Sequence, residues 1–479
     1  MRAETPLLDA LIESTSRNTV PMHMPGHKRN SMLGLNLHRL YSMNVLHLDF
    51  TEIEGLDELH YPSGVIREAE QAAARCFGSK HSFFLVNGCT AGIHAAMMAC
   101  CREGDAVAVP RNAHRAVYEG LLLTGARPEY YLPEVSQKYG LPQTPSRENF
   151  QRFLEEKDLK AAVFVHPTYH GAACDPLLIR MARKKGCRVI ADEAHGAHFP
   201  FDSRLPSSSL REGADYVIHG THKTLGSLTQ TGILHVGTED ENALEVQHYL
   251  AVLQSTSPSY VLLASIDAMR ADMESRGPEL VGRAVDLSLE LREGIKGLAG
   301  IECVEFSPYP GYDMTKVLLY SSRGYGGKEL ATYLQCAGVI PEMVDDKYVL
   351  MMVTVGDTKN GVASVLDALA RFNEHGSRNA DRSEQSAFEL DRTDMFRSLP
   401  IVDMTPREAV KHSWRSIPLC SAIGEVSGAA VVPYPPGIPL IFPGEKITSA
   451  AVDGITAAAA QGFRVQGLEE NMKIRVLEM

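Results

Sequence analysis

Residues 188–224 read RVIADEAHGAHFPFDSRLPSSSLREGADYVIHGTHKT, and two short apolar runs within them decide the fold. RVIADEAHG and ADYVIHG each gather Val, Ile and Ala, then break into acidic, histidine and glycine residues. Neither run alternates apolar with polar, so each reads as a strand covered on both faces, as in a parallel sheet. Working outward, HSFFLVNG (81–88), DAVAVP (105–110) and AAVFVHP (161–167) repeat that texture. Between them CTAGIHAAMMACC (89–101), AHRAVYEGLLLTG (113–125) and PLLIRMARKKG (176–186) carry helical patterns. Strands alternating with helices predict an α/β fold with a mainly parallel sheet.

The 479 residues exceed what one core holds, so several units are expected. Residues 1–30 form a short helix and a loop. Thr5 is placed to cap that helix, Pro6 suits its first turn, and Leu7, Leu8, Leu11 and Ile12 share a face. The loop VPMHMPGHKRN (20–30) follows. Residues 31–257 make the large domain. Residues 258–376 make a smaller α/β domain that opens on a long helix and continues through TKVLLYSS, GKELATYLQCAG and YVLMMVTVG. The polar stretch 377–394 reads as a linker. A C-terminal α+β unit, 395–479, holds the proline-rich VVPYPPGIPLIFPGEKIT (431–448).

Hydrophobic residues at 44 % and charged residues at 22 % are ordinary for a folded chain. The net charge of −12 and the lack of a basic stripe argue against nucleic acid as a partner. Nine cysteines without C-x-x-C pairs suit reduced thiols in a cytoplasm and no metal site. The start lacks a signal-peptide layout, and no run approaches the roughly 20 apolar residues of a membrane span.

Ligands of open α/β sheets bind beyond the carboxyl ends of the strands. Three stretches fall there. In NGCTAG (87–92) small residues at a helix start let backbone N–H groups approach an anion, unless it is an ordinary tight turn. In the DEAHGAHF run, Asp192 is placed to pair with a buried cation or to make a structural hydrogen bond. In HGTHKTLGSLTQTG (219–232), Lys223 follows a strand end among hydroxyls and glycines. Anion cup, then carboxylate, then lysine is the order of a pyridoxal phosphate site. A desolvated lysine attacks the cofactor aldehyde, and a carboxylate keeps the pyridine nitrogen protonated. His27, Lys28, His170, His195 and His198 lie in polar loops where hydrogen bonding is the commoner role. His195, so near Asp192, is expected to line the pocket.

These stretches, with MPGHK (24–28), PRNAHRAV (110–117), HPTYHGAACD (166–175), QSTSPSYVLLASID (254–267) and YPPGIPL…PGE (434–445), resemble the Orn/Lys/Arg decarboxylase family of fold type I pyridoxal phosphate enzymes. The resemblance spans nearly the whole chain, in a short form without the N-terminal wing domain. It implies an aspartate aminotransferase-like large domain and decarboxylation of a basic amino acid. Lys223 would bind the cofactor covalently, Asp192 would face the pyridine nitrogen, and His114 and Ala194 would flank the ring. Thr221, His222 and the amides of Thr90 and Ala91 would sit about the phosphate, with His195 nearby. Thr256 would reach the neighbouring subunit's site, implying a homodimer or larger homo-oligomer. The substrate would meet His27, Tyr434, Pro436 and Glu445, the last taking the basic head group unless it caps the helix after it. Short members resemble arginine decarboxylases most, which favours agmatine production for polyamine synthesis over lysine or ornithine as substrate.

Three positions depart from the family pattern: Gly220 replaces a serine, Ala116 a serine, and Cys89-Thr90-Ala91 a hydroxyl-rich cup. Two other classes stay open. One is a fold type I aminotransferase or lyase, with Arg407 or Arg415 gripping the α-carboxylate. The other is a non-enzymatic regulatory homologue, which the intact Lys223, Asp192 and His114 oppose.

Overall fold

A computed structural model describes residues 5–30, 33–238, 240–305, 311–322, 325–377, 396, 398–435 and 437–479. The linker expected at 377–394 lies, but for its first residue, outside the described residues, as does Pro436.

The large domain is built on a seven-stranded sheet. Its strands are β1 (His81–Leu85), β2 (Ala106–Pro110), β3 (Arg127–Tyr131), β4 (Ala161–Val165), β5 (Arg188–Asp192), β6 (Tyr216–His219) and β7 (Gly232–Val236). They lie in the order β1-β7-β6-β5-β4-β2-β3. All pairs are parallel except those of β7, which runs against both β1 and β6. The reversal at β7 follows from its connection. Residues 220–231 fold back from β6 without a crossover long enough to return the chain to the start of the sheet. Every residue of β2 and β7 is buried, as their unbroken apolar runs require. The edge strand RPEYY and the returning GILHV were not legible as strands beside the others. One has an exposed, charged start and the other follows the turn residues of the lysine loop.

The helix Gly88–Cys100 leaves β1, and Arg115–Thr124 follows β2. The smaller domain opens on one continuous helix, Tyr260–Lys296, which absorbs Pro278 without a break. That helix leads to a four-stranded antiparallel sheet containing Lys316–Ser321 and Tyr348–Met352. Val20–Met22 pairs in parallel with Val339–Pro341, so the N-terminal loop is stitched to the smaller domain. In the C-terminal unit Trp414–Pro418 pairs with Lys473–Leu477, and the helix Ser449–Ala460 is capped by Thr448. The first helix, Pro6–Ser16, has Pro6 in its first turn. Thr5 stands at the cap position, but its side chain makes no cap bond.

Candidate active site

The carboxyl ends of β1, β2, β5 and β6 face one region, and each delivers one of the expected elements. Asp192 is the last residue of β5. Its buried carboxylate accepts the Ala194 N–H at 3.3 Å and has no cation within ion-pair reach among the described residues. Burial pushes this carboxyl above its usual range, while Lys223 pulls it down. A buried, unpaired carboxylate is costly unless something cationic completes it, and a protonated pyridine nitrogen is such a group.

Lys223 sits in the single turn Thr221–Thr224 beyond β6, and its Nζ lies 3.1 Å from His195 Nε2. The MPGHK loop crosses directly over it, with Gly26 N–H donating to His222 O at 2.8 Å. A Cβ on Gly26 would stand 2.9 Å from the Thr224 carbonyl carbon, so only glycine fits this approach. Lys28, in the same loop, is a structural clamp. Its buried Nζ donates to His23 O at 2.7 Å and Met352 O at 3.0 Å, tying the loop to the smaller domain. His27 Nδ1 accepts the Arg29 N–H at 3.0 Å, and the ring lies edge-to-face with that of Tyr41 at 6.0 Å.

Three histidines of the site are held neutral. His114 caps the helix Arg115–Thr124, its Nδ1 accepting the Ala116 N–H at 3.2 Å, so the ring proton sits on Nε2. Burial first, then Lys223, lowers its pKa to about 3. His222 Nδ1 donates to Thr231 O at 2.6 Å, and burial takes its pKa down to about 4. His195 is likewise pushed well below the ordinary value by burial and by Lys223.

For a phosphate, the N-terminus of Gly88–Cys100 receives no side-chain cap, so its first amides, including those of Thr90 and Ala91, face outward. Thr221 belongs to a buried hydroxyl cluster, accepting from Ser227 at 2.8 Å, while Ser227 also meets Thr231 at 2.6 Å. The cluster folds the LGSLTQT turn back onto His222. Gly220 has a steric cause: a Cβ there would lie 2.6 Å from Ala194 O. The backbone of Ala194 thus occupies the space of a serine side chain.

The substrate residues fare differently. Tyr434 is half exposed, and its loop touches the site, Gly437 O accepting the Arg115 N–H at 3.0 Å. Glu445 requires a correction. It neither caps the following helix, a task that falls to Thr448, nor presents a free carboxylate. Arg111 grips both its oxygens at 3.1 Å each, and Oε2 also accepts the Phe442 N–H at 3.0 Å. Thr256 is exposed on the loop between Asp240–Leu253 and the long helix. Arg407 bonds Leu122 O and faces Glu103, and Arg415 pairs with Glu425. Neither is free to grip a carboxylate beside Lys223.

Sequence reading missed Lys316, Tyr169 and Glu342. Lys316 Nζ is buried, 2.7 Å from His195 Nδ1 and over the Tyr169 ring at 5.2 Å. The Tyr169 ring meets His195 edge-on at 4.9 Å, and its hydroxyl donates to Glu342. A signal existed for one of them: a lysine opening the apolar run VLL has no solvent to reach, and KVLL is buried throughout.

A family model described as "Orn/Lys/Arg decarboxylase, major domain" matches residues 5–310, and one described as "Orn/Lys/Arg decarboxylase, C-terminal domain" matches 390–473. The chain belongs to the Orn/Lys/Arg decarboxylase family. It is 34 % identical over 487 residues to an arginine decarboxylase of Bacillus subtilis, covering 99 % of this chain and 98 % of the relative. An arginine decarboxylase of Bacillus anthracis is 33 % identical over 491 residues, covering 99 % and 97 %. Among solved structures, a Francisella novicida lysine decarboxylase superposes with a TM-score of 0.80 at 19 % identity, covering 95 % of this chain and 78 % of that one. That likeness fixes the fold as type I. The protein is a pyridoxal phosphate-dependent decarboxylase, and the unpaired Asp192, the uncapped helix start and Lys223 fit that cofactor. Among the described residues no helix is long and apolar enough to cross a membrane.

Proposed function

We propose that this decarboxylase converts L-arginine to agmatine and CO₂, in the cytoplasm, as a homodimer with shared sites. The observation that carries it is Lys223, which has no carboxylate in ion-pair reach among the described residues and lies against neutral His195 in the field of Asp192. The arginine decarboxylases at about one-third identity over nearly the full chain support the substrate. The second copy is supported by Leu7, Leu8, Leu11 and Ile12, each more than half exposed on one helix, and by Leu35 and Leu46 nearby in sequence. Nine free cysteines suit a reducing compartment.

In this reading Lys223 holds the cofactor and Asp192 faces its ring nitrogen. His114 and Ala194 flank the ring, and His222 with the Thr90 and Ala91 amides receives the phosphate. His222 Nε2 carries a lone pair in the free protein, so a phosphate there has to bring a proton onto it. When bound, the cofactor supplies the electron sink for the bond that breaks at Cα. The chain supplies the dryness: His195, Ala194 and Asp192 are buried, and a desolvated carboxylate leaves more readily as neutral CO₂. The Nε2–H of His114 keeps a proton within the site. With Glu445 occupied by Arg111, the acid for the guanidinium is Glu342, half-buried where Tyr169 and the Met24 N–H orient it. Tyr434 and Thr256, the latter from the second subunit, complete the pocket.

The test is direct. The purified protein with pyridoxal phosphate is given arginine, lysine or ornithine, and CO₂ and amine are followed, with Lys223→Ala as control. Agmatine from arginine by the parent alone is expected. Cadaverine or putrescine would move the substrate, and a keto acid would overturn decarboxylation of these substrates.

A further inference from the structure

Lys223, His195 and Lys316 form a row in which both imidazole nitrogens face an amine. Lys223 Nζ lies 3.1 Å from Nε2, and Lys316 Nζ 2.7 Å from Nδ1. A neutral imidazole donates once and accepts once, so one lysine donates to the ring and the other accepts from it. We propose that Lys316 is a positioning residue for Lys223. As an ammonium it donates to His195 Nδ1, which fixes the ring proton on Nε2, and that N–H is donated to Lys223 Nζ.

Several features assign the charge to Lys316. Its contact is the shorter one, as charge-assisted bonds are. It lies over the Tyr169 ring, a face that attracts a cation. Burial lowers it to about 8, while Asp313 and Glu342 pull the other way and favour its charged form. The remaining groups around it are Met352 Sδ at 3.5 Å, and the Tyr312 hydroxyl and the Arg292 guanidinium, which both donate to its own carbonyl. Lys223, by contrast, has only Asp192, the carboxylate assigned to the pyridine nitrogen. The Lys223 nitrogen so held is the nucleophile, and parting with one hydrogen bond frees its lone pair. The inference rests on Lys223 being the cofactor lysine, but the proton arrangement is measurable without cofactor.

In the cofactor-free protein, nitrogen NMR of His195 is expected to show a protonated Nε2 and a bare Nδ1. Lys316→Met, which removes the buried charge and packs beside Met352, is expected to shift the proton to Nδ1. It should also slow carbamoylation of Lys223 by cyanate at neutral pH by about tenfold, the scale of a lost charge–charge interaction at this range. Lys316→Arg is expected to retain the parent tautomer. In the loaded enzyme Lys316→Met should lower kcat with KM little changed. A parent protein with the proton on Nδ1 overturns the proposal, even if Lys316→Met fails to fold. So does a folded Lys316→Met with the parent tautomer and the parent carbamoylation rate. Failure of arginine turnover alone, with the tautomer as expected, would instead overturn the substrate reading.

Discussion

Glu445→Gln separates two roles for the acid of the PGE loop. In the structure Arg111 joins the segment after β2 to the C-terminal unit. It meets both Glu445 oxygens at 3.1 Å, Leu440 O at 2.8 Å and the Tyr118 hydroxyl at 3.1 Å. The guanidinium also lies over the Tyr130 ring at 5.2 Å. Both partners are buried, so removing one charge strands the other, at a cost of about 3–5 kcal/mol. At roughly 2–4 °C per kcal/mol for a domain of 150–250 residues, the melt should fall by about 6–20 °C. The loss should be local, with protease cutting the C-terminal unit first. Replacing both partners, as Arg111→Met with Glu445→Leu, should recover much of it, because an apolar pair leaves no stranded charge. Differential scanning calorimetry and limited proteolysis read the outcome, with KM for arginine measured alongside. A Glu445→Gln protein with the parent melt and a KM raised a hundredfold would refute the structural role and return Glu445 to the substrate.

Glu70 is buried with no cation in ion-pair reach among the described residues, and burial raises it to about 8, with the Phe84 N–H pulling it back at 2.9 Å. Its folded value lies above the unfolded one, so the folded state holds the extra proton and stability falls as pH rises from about 4.5 to about 8. The span corresponds to at most about 4–5 kcal/mol. Glu70→Gln should flatten that part of a melting-temperature profile, and an unchanged slope would exclude Glu70 as its source. Asp192→Asn should lower kcat/KM by about a hundredfold or more, yet leave the cofactor-free protein no less stable, since a desolvated, unpaired carboxylate has been neutralised. A cofactor-free melt that drops sharply would mean that Asp192 is structural. Gly220→Ser, which restores the common family residue, should loosen cofactor on dialysis and cost about 1–3 kcal/mol, because its Cβ would meet Ala194 O at 2.6 Å. Tighter cofactor retention would show that Ala194 can yield.

What the sequence displayed was local. Asp192 and Lys223 each end a short apolar run, and a strand end is where an α/β sheet exposes its ligand groups, so both could be placed from neighbours along the chain. The long helix at 260–296 was visible through Pro278 because its apolar rhythm resumes on the far side. β3 and β7 were not, since RPEYY opens on exposed charge and GILHV borders turn residues. Glu445 misled for a related reason. Beside glycine and before a helical run it reads as a cap or a free acid, and nothing local reveals that Arg111, far back in the chain, holds both its oxygens.

Lys316 exposes the limit most clearly, because its meaning arises only when two domains meet. In the chain it is one cation before an apolar strand. In the fold that strand presses it against His195, which stands three residues after the end of β5. The site therefore depends on the seating of the smaller domain as well as on the large-domain sheet. Lys28, donating to Met352 O on the strand beside Lys316, and Gly26, bonded to His222, bind the MPGHK loop to both halves. A loop that touches the lysine peptide on one side and the smaller domain on the other sets the spacing between Lys223 and Lys316. That makes its glycine and lysine structural determinants of the chemistry without their touching a substrate.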